Sequence, residues 1–224
     1  MTLSANLVQV IRTGLLLGLA ACMTLSTASE TEAQLPDSLR GPPGSVETLV
    51  AQVRSGDATW IGPFLRQTRG PGTPEALQAL SDSLVAIVVS AQTTDPGLAT
   101  SIMSGIHFSI APERGVPFPQ GVDLLFRIYD SMDGPSLRGG LLFRLSLVAP
   151  PGRLLPLLSE AVESHEAHSI TATRLLAEEM GPPGIAILQN AYCSDRIENP
   201  GAQRLLRGYI WSGVIDEECG LGAG

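Results

Sequence analysis

Three strings of two prolines and a glycine divide the sequence and constrain its fold more than any other feature. They occupy residues 42–44, 150–152 and 182–184, and an apolar run with helical spacing follows each one. Proline ends a preceding helix, and it is tolerated in the first turn of the next helix because its missing N–H has no partner there. The last two strings are 32 residues apart, and the segment 117–121 resembles them one period earlier. The strings therefore predict a repeated unit of helix, Pro/Gly turn and helix.

A second recurring pattern lies between these strings. It consists of a small residue, two others and two large apolar residues, and it begins at Ala99, Ala172 and Ala202. Residues 138–142 follow it except at the first position, and the successive steps are 39, 34 and 30 residues. Thr73, Asp95 and Asn199 each place a capping side chain before a proline that suits the first turn of a helix. Together with these starts, the two patterns predict ten helices. We place them near residues 45–55, 57–67, 73–91, 95–109, 121–132, 136–148, 152–163, 169–180, 184–193 and 200–213.

A helix pair of 30–40 residues cannot bury both of its faces alone, so we expect such copies to stack into an array. Over residues 95–214, and more loosely over residues 41–92, the chain resembles the HEAT-repeat class of α-solenoids. The resemblance implies an all-α fold of stacked antiparallel helix pairs over residues 41–214, followed by a tail at residues 215–224. The chain lacks the Asp and Arg pairing that regular HEAT copies often carry. An irregular helical bundle in a Pro- and Gly-rich chain is the alternative fold.

The N-terminus predicts export. Arg12 precedes an apolar run at residues 13–21, which is the layout of a secretory signal. Residues 19–22, Leu-Ala-Ala-Cys, then resemble the bacterial lipobox. This resemblance implies cleavage before Cys22, lipidation of that residue and attachment to a membrane of the cell envelope, and Met23 is not the Asp of the familiar inner-membrane retention signal.

Ordinary secretion is the alternative. Residues 26–28 and 31–33 both have the small-x-Ala form that signal peptidase cuts, so the mature chain would begin near Ser29 or Gln34 in the periplasm or outside the cell. An uncleaved N-terminal anchor is a third possibility. In each case residues 1–33 form a signal and tether rather than part of the folded domain.

The cysteines support an exported chain. If Cys22 is lipidated or removed, only Cys193 and Cys219 remain, and two cysteines in an exported protein can pair. A disulfide between them would hold the C-terminal tail against the last helices. Two free thiols are the alternative, because spacing alone does not show proximity.

Composition excludes several functions. The net charge is −8, which argues against a nucleic-acid partner, since such binding depends on clustered cations. All 14 basic residues are Arg, so the chain has no Lys with which to complete a phosphate-binding loop. It contains no Gly-x-Ser-x-Gly nucleophile elbow. We therefore expect a protein that is not an enzyme and needs no cofactor.

Residues 163–168 are the one segment with metal-ligand chemistry. His165 and His168 flank Glu166 there, but their i,i+3 spacing differs from the HExxH helix of metalloproteases, and no third or fourth ligand is evident. We interpret the segment as a solvated loop between repeats. His165 and His168 remain weak metal candidates.

An exported helical array is typical of a protein-binding scaffold, so we predict interaction with an unknown protein partner. Arginines recur at helical spacing in the first helices of consecutive copies, where they would line one face for an acidic partner or form ion pairs within helices. These arginines are Arg138, Arg144, Arg174, Arg204 and Arg207. The candidate aromatic anchors, which could instead be core residues, are Trp60, Trp211, Tyr192 and Tyr209.

The alternative function is a HEAT-like protein that handles a ligand or a divalent metal, as bilin lyases handle pigments.

Overall fold

A computed structural model describes residues 41–67, 74–110, 118 and 120–219. The chain divides between Gln34 and Leu35, and all described residues belong to the second unit. Within them the structure is all-α, with ten helices and no strand. The helices are α1 (Val46–Arg54), α2 (Ile61–Gln67), α3 (Pro74–Thr94), α4 (Pro96–Ile110), α5 (Gly121–Ser131), α6 (Pro135–Ser146), α7 (Pro151–Glu163), α8 (His168–Glu178), α9 (Gly181–Cys193) and α10 (Pro200–Trp211).

Each predicted helix is present, and the largest differences are at the N-termini of α2 and α9 and at the C-terminus of α3, which ends at Thr94 rather than near residue 91. Helix α2 begins at Ile61 rather than near residue 57, because Asp57 accepts a hydrogen bond from the Thr59 N–H and holds a turn before the helix. Helix α9 begins at Gly181 rather than near residue 184. Gly181 has φ +59°, a left-handed conformation that suits glycine and reverses the chain directly after α8. The third Pro-Pro-Gly string therefore lies inside the first turn of α9.

Two of the expected proline starts have the capping geometry that the sequence predicted. The Asp95 carboxylate accepts a hydrogen bond from the Leu98 N–H at 3.0 Å. The Asn199 side chain accepts from Gly201 and Ala202 at the start of α10. These bonds satisfy N–H groups that have no partner within the helix. The third expected cap, Thr73, lies outside the described residues.

The helices pack in two alternating series. Helix α4 packs against α2, α3, α5 and α6, and α8 packs against α6, α7, α9 and α10. The even-numbered helices thus contact one another in succession from α2 to α10, while the odd-numbered helices lie on their other side, with α1 against α3, α3 against α5, and α7 against α9. This packing of helix pairs is compatible with a helical repeat.

Helices α8 and α10 run parallel. A Cβ built at Gly201 would lie 2.6 Å from Cδ1 of Ile170, so the two helices approach closely at that level. Eight residues further along each helix, the Tyr209 hydroxyl donates to Glu178 at 2.6 Å. The register between the two helices is therefore 31 residues at both contacts, close to the last step of 30 residues in the sequence pattern.

The core is aliphatic and contains the recurring sequence pattern. The small residue and at least one large apolar residue of every complete copy are buried, since a residue and those three or four positions later share one face of a helix. The buried members are Ala99, Ile102 and Met103 in α4, Leu141 and Leu142 in α6, Ala172, Leu175 and Leu176 in α8, and Ala202 and Leu206 in α10.

The chain after α10 folds back onto α9. Cys193 and Cys219 form a disulfide with Cα atoms 5.4 Å apart. Gln189 donates to the Asp216 carbonyl and accepts from the Asp216 N–H, both at 2.9 Å, and Ile215 is buried. The Ile215 N–H also donates to the Tyr209 carbonyl of α10 at 3.3 Å. Residues 215–219 are therefore joined to the helical unit by a covalent bond, three hydrogen bonds and a buried side chain.

One described helix, α3, is long and apolar enough to cross a membrane by length and composition alone. The core helix of a soluble protein can meet the same criteria, and α3 packs against α1, α4 and α5.

Candidate functional site

The outward surface of the even-numbered helices, which we call the even face, carries large exposed apolar side chains. In α6, Leu141, Leu142 and Leu145 are buried, and Phe143 points away from them with 54% of its surface exposed. Leu147, one turn later, is 59% exposed. Large apolar side chains are normally buried in the core or covered by a binding partner. The two residues therefore form an apolar patch at the C-terminal end of α6.

Charge differs sharply between the two series of helices. The even-numbered helices contain six arginines and one acid, Glu178. The odd-numbered helices contain seven acids and three arginines. The even face is therefore basic in a chain whose net charge is −8.

The arginines of the odd-numbered helices are largely committed to ion pairs. Arg127 of α5 pairs with Asp82 of α3, and its hydrogen bond holds the pKa of that carboxyl below the usual value. Arg153 of α7 pairs with Asp123 of α5 at 2.6 Å. By contrast, none of the arginines in the even-numbered helices has a carboxylate within ion-pair distance in the part of the chain that the structure describes.

The structure separates the predicted arginine row into two groups. Arg138 stacks over the Tyr129 ring at 5.1 Å, and Arg144 donates to the Ser104 hydroxyl at 2.8 Å and to the Gly140 carbonyl at 3.0 Å. Burial lowers the pKa of Arg144. These two side chains join neighbouring helices and are only half-exposed. The other three, Arg174, Arg204 and Arg207, are exposed on α8 and α10.

The candidate aromatic anchors also differ. Trp211 is 94% exposed at the end of α10, whereas Trp60 and Tyr192 are half-buried against the core. Burial and the hydrogen bond to Glu178 together raise the pKa of Tyr209 to about 12. That bond also occupies the single acid of the even-numbered helices. Trp211 is thus the one candidate anchor that is fully available on the surface.

The segment at residues 163–168 combines an exposed and a buried histidine. His165 is exposed, but His168 is the first residue of α8 and only 4% exposed, so the solvated-loop interpretation is wrong for His168. Its Nδ1 lies 3.3 Å from Oε2 of Glu166. Burial lowers the pKa of His168, and the Glu166 carboxylate opposes that shift. A neutral imidazole at pH 7 is the consequence, packed edge-on to the Tyr129 ring.

Among the described residues, no group of three or more His, Cys, Asp and Glu is placed to hold a metal ion. Two open clefts lie elsewhere in the described part. One of about 540 Å³ lies between the C-terminal ends of α1 and α3, and one of about 600 Å³ lies between α9 and the residues after α10. Neither is lined by His or Cys. The exposed patch and the exposed arginines therefore make the even face the best-supported candidate site.

The sequence analysis did not single out Phe143 and Leu147, the two residues that form the exposed apolar patch on the even face. The signal was present, because both fall opposite the buried leucines when α6 is drawn as a helix. The predicted lipidation residue, Cys22, lies outside the described residues.

No protein-family model, no curated protein and no solved structure matches this chain.

Proposed function

We propose that the protein is an exported, non-catalytic scaffold that binds a protein partner through the even face of a HEAT-like α-solenoid. The observation that carries the proposal is the pair of large apolar side chains, Phe143 and Leu147, exposed on the packed array of even-numbered helices. The parallel packing of α8 and α10, at nearly the same step as the sequence repeat, supports the solenoid. Stacked repeats present an extended surface of this kind to partners.

Export is supported by the disulfide between Cys193 and Cys219, because such bonds form and persist in oxidising compartments. It is also supported by the signal-like N-terminus. On this proposal Cys22 is lipidated and holds the domain at a membrane of the bacterial envelope. Several acyl chains anchor a domain firmly, since each buried CH₂ contributes about 0.8 kcal/mol.

Localisation is tested by the intact mass of the membrane-extracted protein beside a Cys22→Ser variant. A mature chain that starts at Cys22 with added acyl mass, lost in the variant, is expected. A soluble chain that starts near Ser29 or Gln34 and is unchanged by the variant would refute lipidation and leave ordinary secretion.

The binding surface is tested by photocrosslinking in the producing bacterium. A photoreactive residue is introduced at Ser136, exposed on α6 in the even series, and separately at Ala79, exposed on α3 in the odd series. We expect a discrete crosslinked product from Ser136 and none from Ala79. Equal products from both sites, or none from Ser136 and other exposed positions of the even face, would contradict the proposed surface.

A further inference from the structure

The charges of the even face specify the chemistry of its partner, and this inference rests on the proposed function. We infer that the even face binds an acidic segment of a partner protein. Apolar side chains of that segment contact Phe143 and Leu147, and its carboxylates contact Arg174 and Arg204.

The first argument is the distribution of charge. Across the described helices, acids are concentrated on the odd-numbered series, where Asp82 and Asp123 pair with Arg127 and Arg153. Among the described residues, no carboxylate pairs with Arg174, Arg204 or Arg207, and Glu178 is held by the Tyr209 hydroxyl. Complementary charge is the usual means by which an interface selects and orients its partner. A basic surface on an acidic chain therefore fits an acidic partner.

The second argument is the direction in which the arginines point. In α8 the buried residues Ala172 and Leu176 lie on the face opposite Arg174. In α10 the buried residues Ala202 and Leu206 lie opposite Arg204 in the same way. Because α8 and α10 pack side by side and parallel, we expect both guanidinium groups to project from the same side of the array. Arg174 lies close enough to α10 for its charge to oppose the rise in the pKa of Tyr209.

The apolar patch lies next to these arginines. A Cβ built at Gly139 of α6 would lie 3.0 Å from Oγ1 of Thr171 in α8, so the two helices are in close contact there. Short connections through α7 make α6 and α8 parallel. Phe143 and Arg174 each lie about one turn beyond this contact, so we expect them to be neighbours across the α6–α8 boundary.

These positions set the spacing of groups in the partner. Neighbouring helix axes lie about 8–10 Å apart, and an extended chain advances about 3.3 Å per residue. A segment that crosses α6, α8 and α10 would therefore place an apolar anchor first and carboxylates about three and six residues later. Arginine suits this role because its planar guanidinium binds a carboxylate through two parallel hydrogen bonds.

A polypeptide fits the surface better than a nucleic acid. A nucleic-acid backbone requires a row of cations along its whole track, whereas the exposed arginines of the even-numbered helices are confined to α8 and α10. The α6 end of the surface is apolar instead, with Phe143 and Leu147. A segment with both apolar and acidic groups satisfies both ends.

The experiment uses the full chain and a fluorescein-labelled 12-residue peptide with two adjacent apolar residues, Phe and Leu, followed by Glu at every third position. Binding is measured by fluorescence anisotropy against the protein, against Arg174→Gln/Arg204→Gln and against Phe143→Ser. A peptide with Lys in place of every Glu reports the sign of the charge. The matched control is Arg54→Gln/Arg153→Gln, which removes the same charge from the odd-numbered helices.

We expect the Glu peptide to bind, the Lys peptide to bind at least about tenfold more weakly, and added salt to weaken the Glu complex. The Arg174→Gln/Arg204→Gln variant should lose about tenfold in affinity, equivalent to about 1.4 kcal/mol, and Phe143→Ser should also lose affinity. The control variant should bind like the wild type. Thermal unfolding of each variant establishes that it is folded.

Each of the following results would overturn the inference. The first is an equal loss in the control variant, or no preference for the Glu peptide. The second is equally tight binding of a single-stranded oligonucleotide, which would make the face a general polyanion site. The third is a salt-sensitive dimer by sedimentation that Arg174→Gln/Arg204→Gln abolishes, which would make a second copy the occupant. If the peptide does not bind but Ser136 still crosslinks to a partner, the chemistry assigned here is wrong and the interaction scaffold stands.

Discussion

Two glycines at equivalent places in the Pro-Pro-Gly strings should respond in opposite ways to substitution by alanine. A Cβ built at Gly184 would lie 2.6 Å from Cβ of Met180 and closer still to the carbonyl oxygen of Leu176. A Cβ built at Gly152 would have no heavy atom within 4 Å, apart from those of its two chain neighbours and the nearby backbone of its own helix. The chain between α8 and α9 is only two residues long, which brings the first turn of α9 against the end of α8.

The magnitude follows from which atoms are in contact. The Leu176 carbonyl belongs to the backbone, so it can yield only if α8 and α9 separate. Overpacking of this kind costs about 1–3 kcal/mol or more, and the gain in helix propensity on replacing Gly offsets at most about 1 kcal/mol. We expect Gly184→Ala to lower the free energy of unfolding by about 2–3 kcal/mol. Gly152→Ala should leave it unchanged or raise it by up to about 1 kcal/mol.

The assay is urea unfolding of both variants, followed by far-UV circular dichroism. The midpoint should fall for Gly184→Ala with no change in the slope against urea, since the surface exposed on unfolding stays the same. Its thermal midpoint should fall by about 4–12 °C, because a unit of this size shifts by about 2–4 °C per kcal/mol. Unfolding free energies within about 0.5 kcal/mol of each other would refute the argument that the connection between α8 and α9 forces this close approach.

Three further predictions concern the C-terminal half. Cys219→Ser should lower the free energy of unfolding by about 3 kcal/mol, because the disulfide to Cys193 closes a loop with a separation of 26 residues, and dithiothreitol should destabilise the wild type but not the variant. The pKa of His168 is lowered by burial, so the unfolded chain binds its proton more readily, and stability should fall as the pH drops below about 6.5. Urea titrations between pH 7.5 and 5.5 should show this decrease in the wild type and a smaller one in His168→Gln; equal decreases would contradict the assignment. Asn199→Ala should cost about 2–3 kcal/mol in the same assay, with Ser45→Ala, which removes a cap with a single bond to the backbone, costing about 1 kcal/mol.

For the described residues, the sequence was sufficient to predict the all-α structure and its ten helices, because the signals for them are local. A proline in the first turn preceded by Asp95 or Asn199 sets a helix start through the chemistry of one or two residues. The burial of Ala172 and Leu176 followed from helical periodicity. Helix α8 shows the limit of such signals: Ala167 precedes it and provides no capping side chain, so the buried position of His168 could not be read from the residues around it.

The composition of the even face depended on contacts that periodicity does not encode. Periodicity distinguishes the buried side of a helix from its outer side, but it does not say which outer positions face the next helix of the same series. Arg144 faces that helix and bonds to Ser104, 40 residues earlier in the chain, whereas Arg174 and Arg204 project outward. The position at which one helix packs along the next decides whether an arginine contacts that helix or is exposed.

The step between successive even-numbered helices explains why that register varies along the chain. The Ser104–Arg144 contact spans 40 residues, whereas the contacts between α8 and α10 span 31. Even-numbered helices whose spacing along the chain varies in this way do not place every arginine at the same angle to its neighbours. Arg144, at the wider spacing, contacts the preceding even-numbered helix, whereas Arg174 and Arg204 remain exposed. The even face therefore carries exposed apolar side chains at α6 and exposed arginines on α8 and α10, and we expect the proposed partner to carry apolar and acidic groups in the same order.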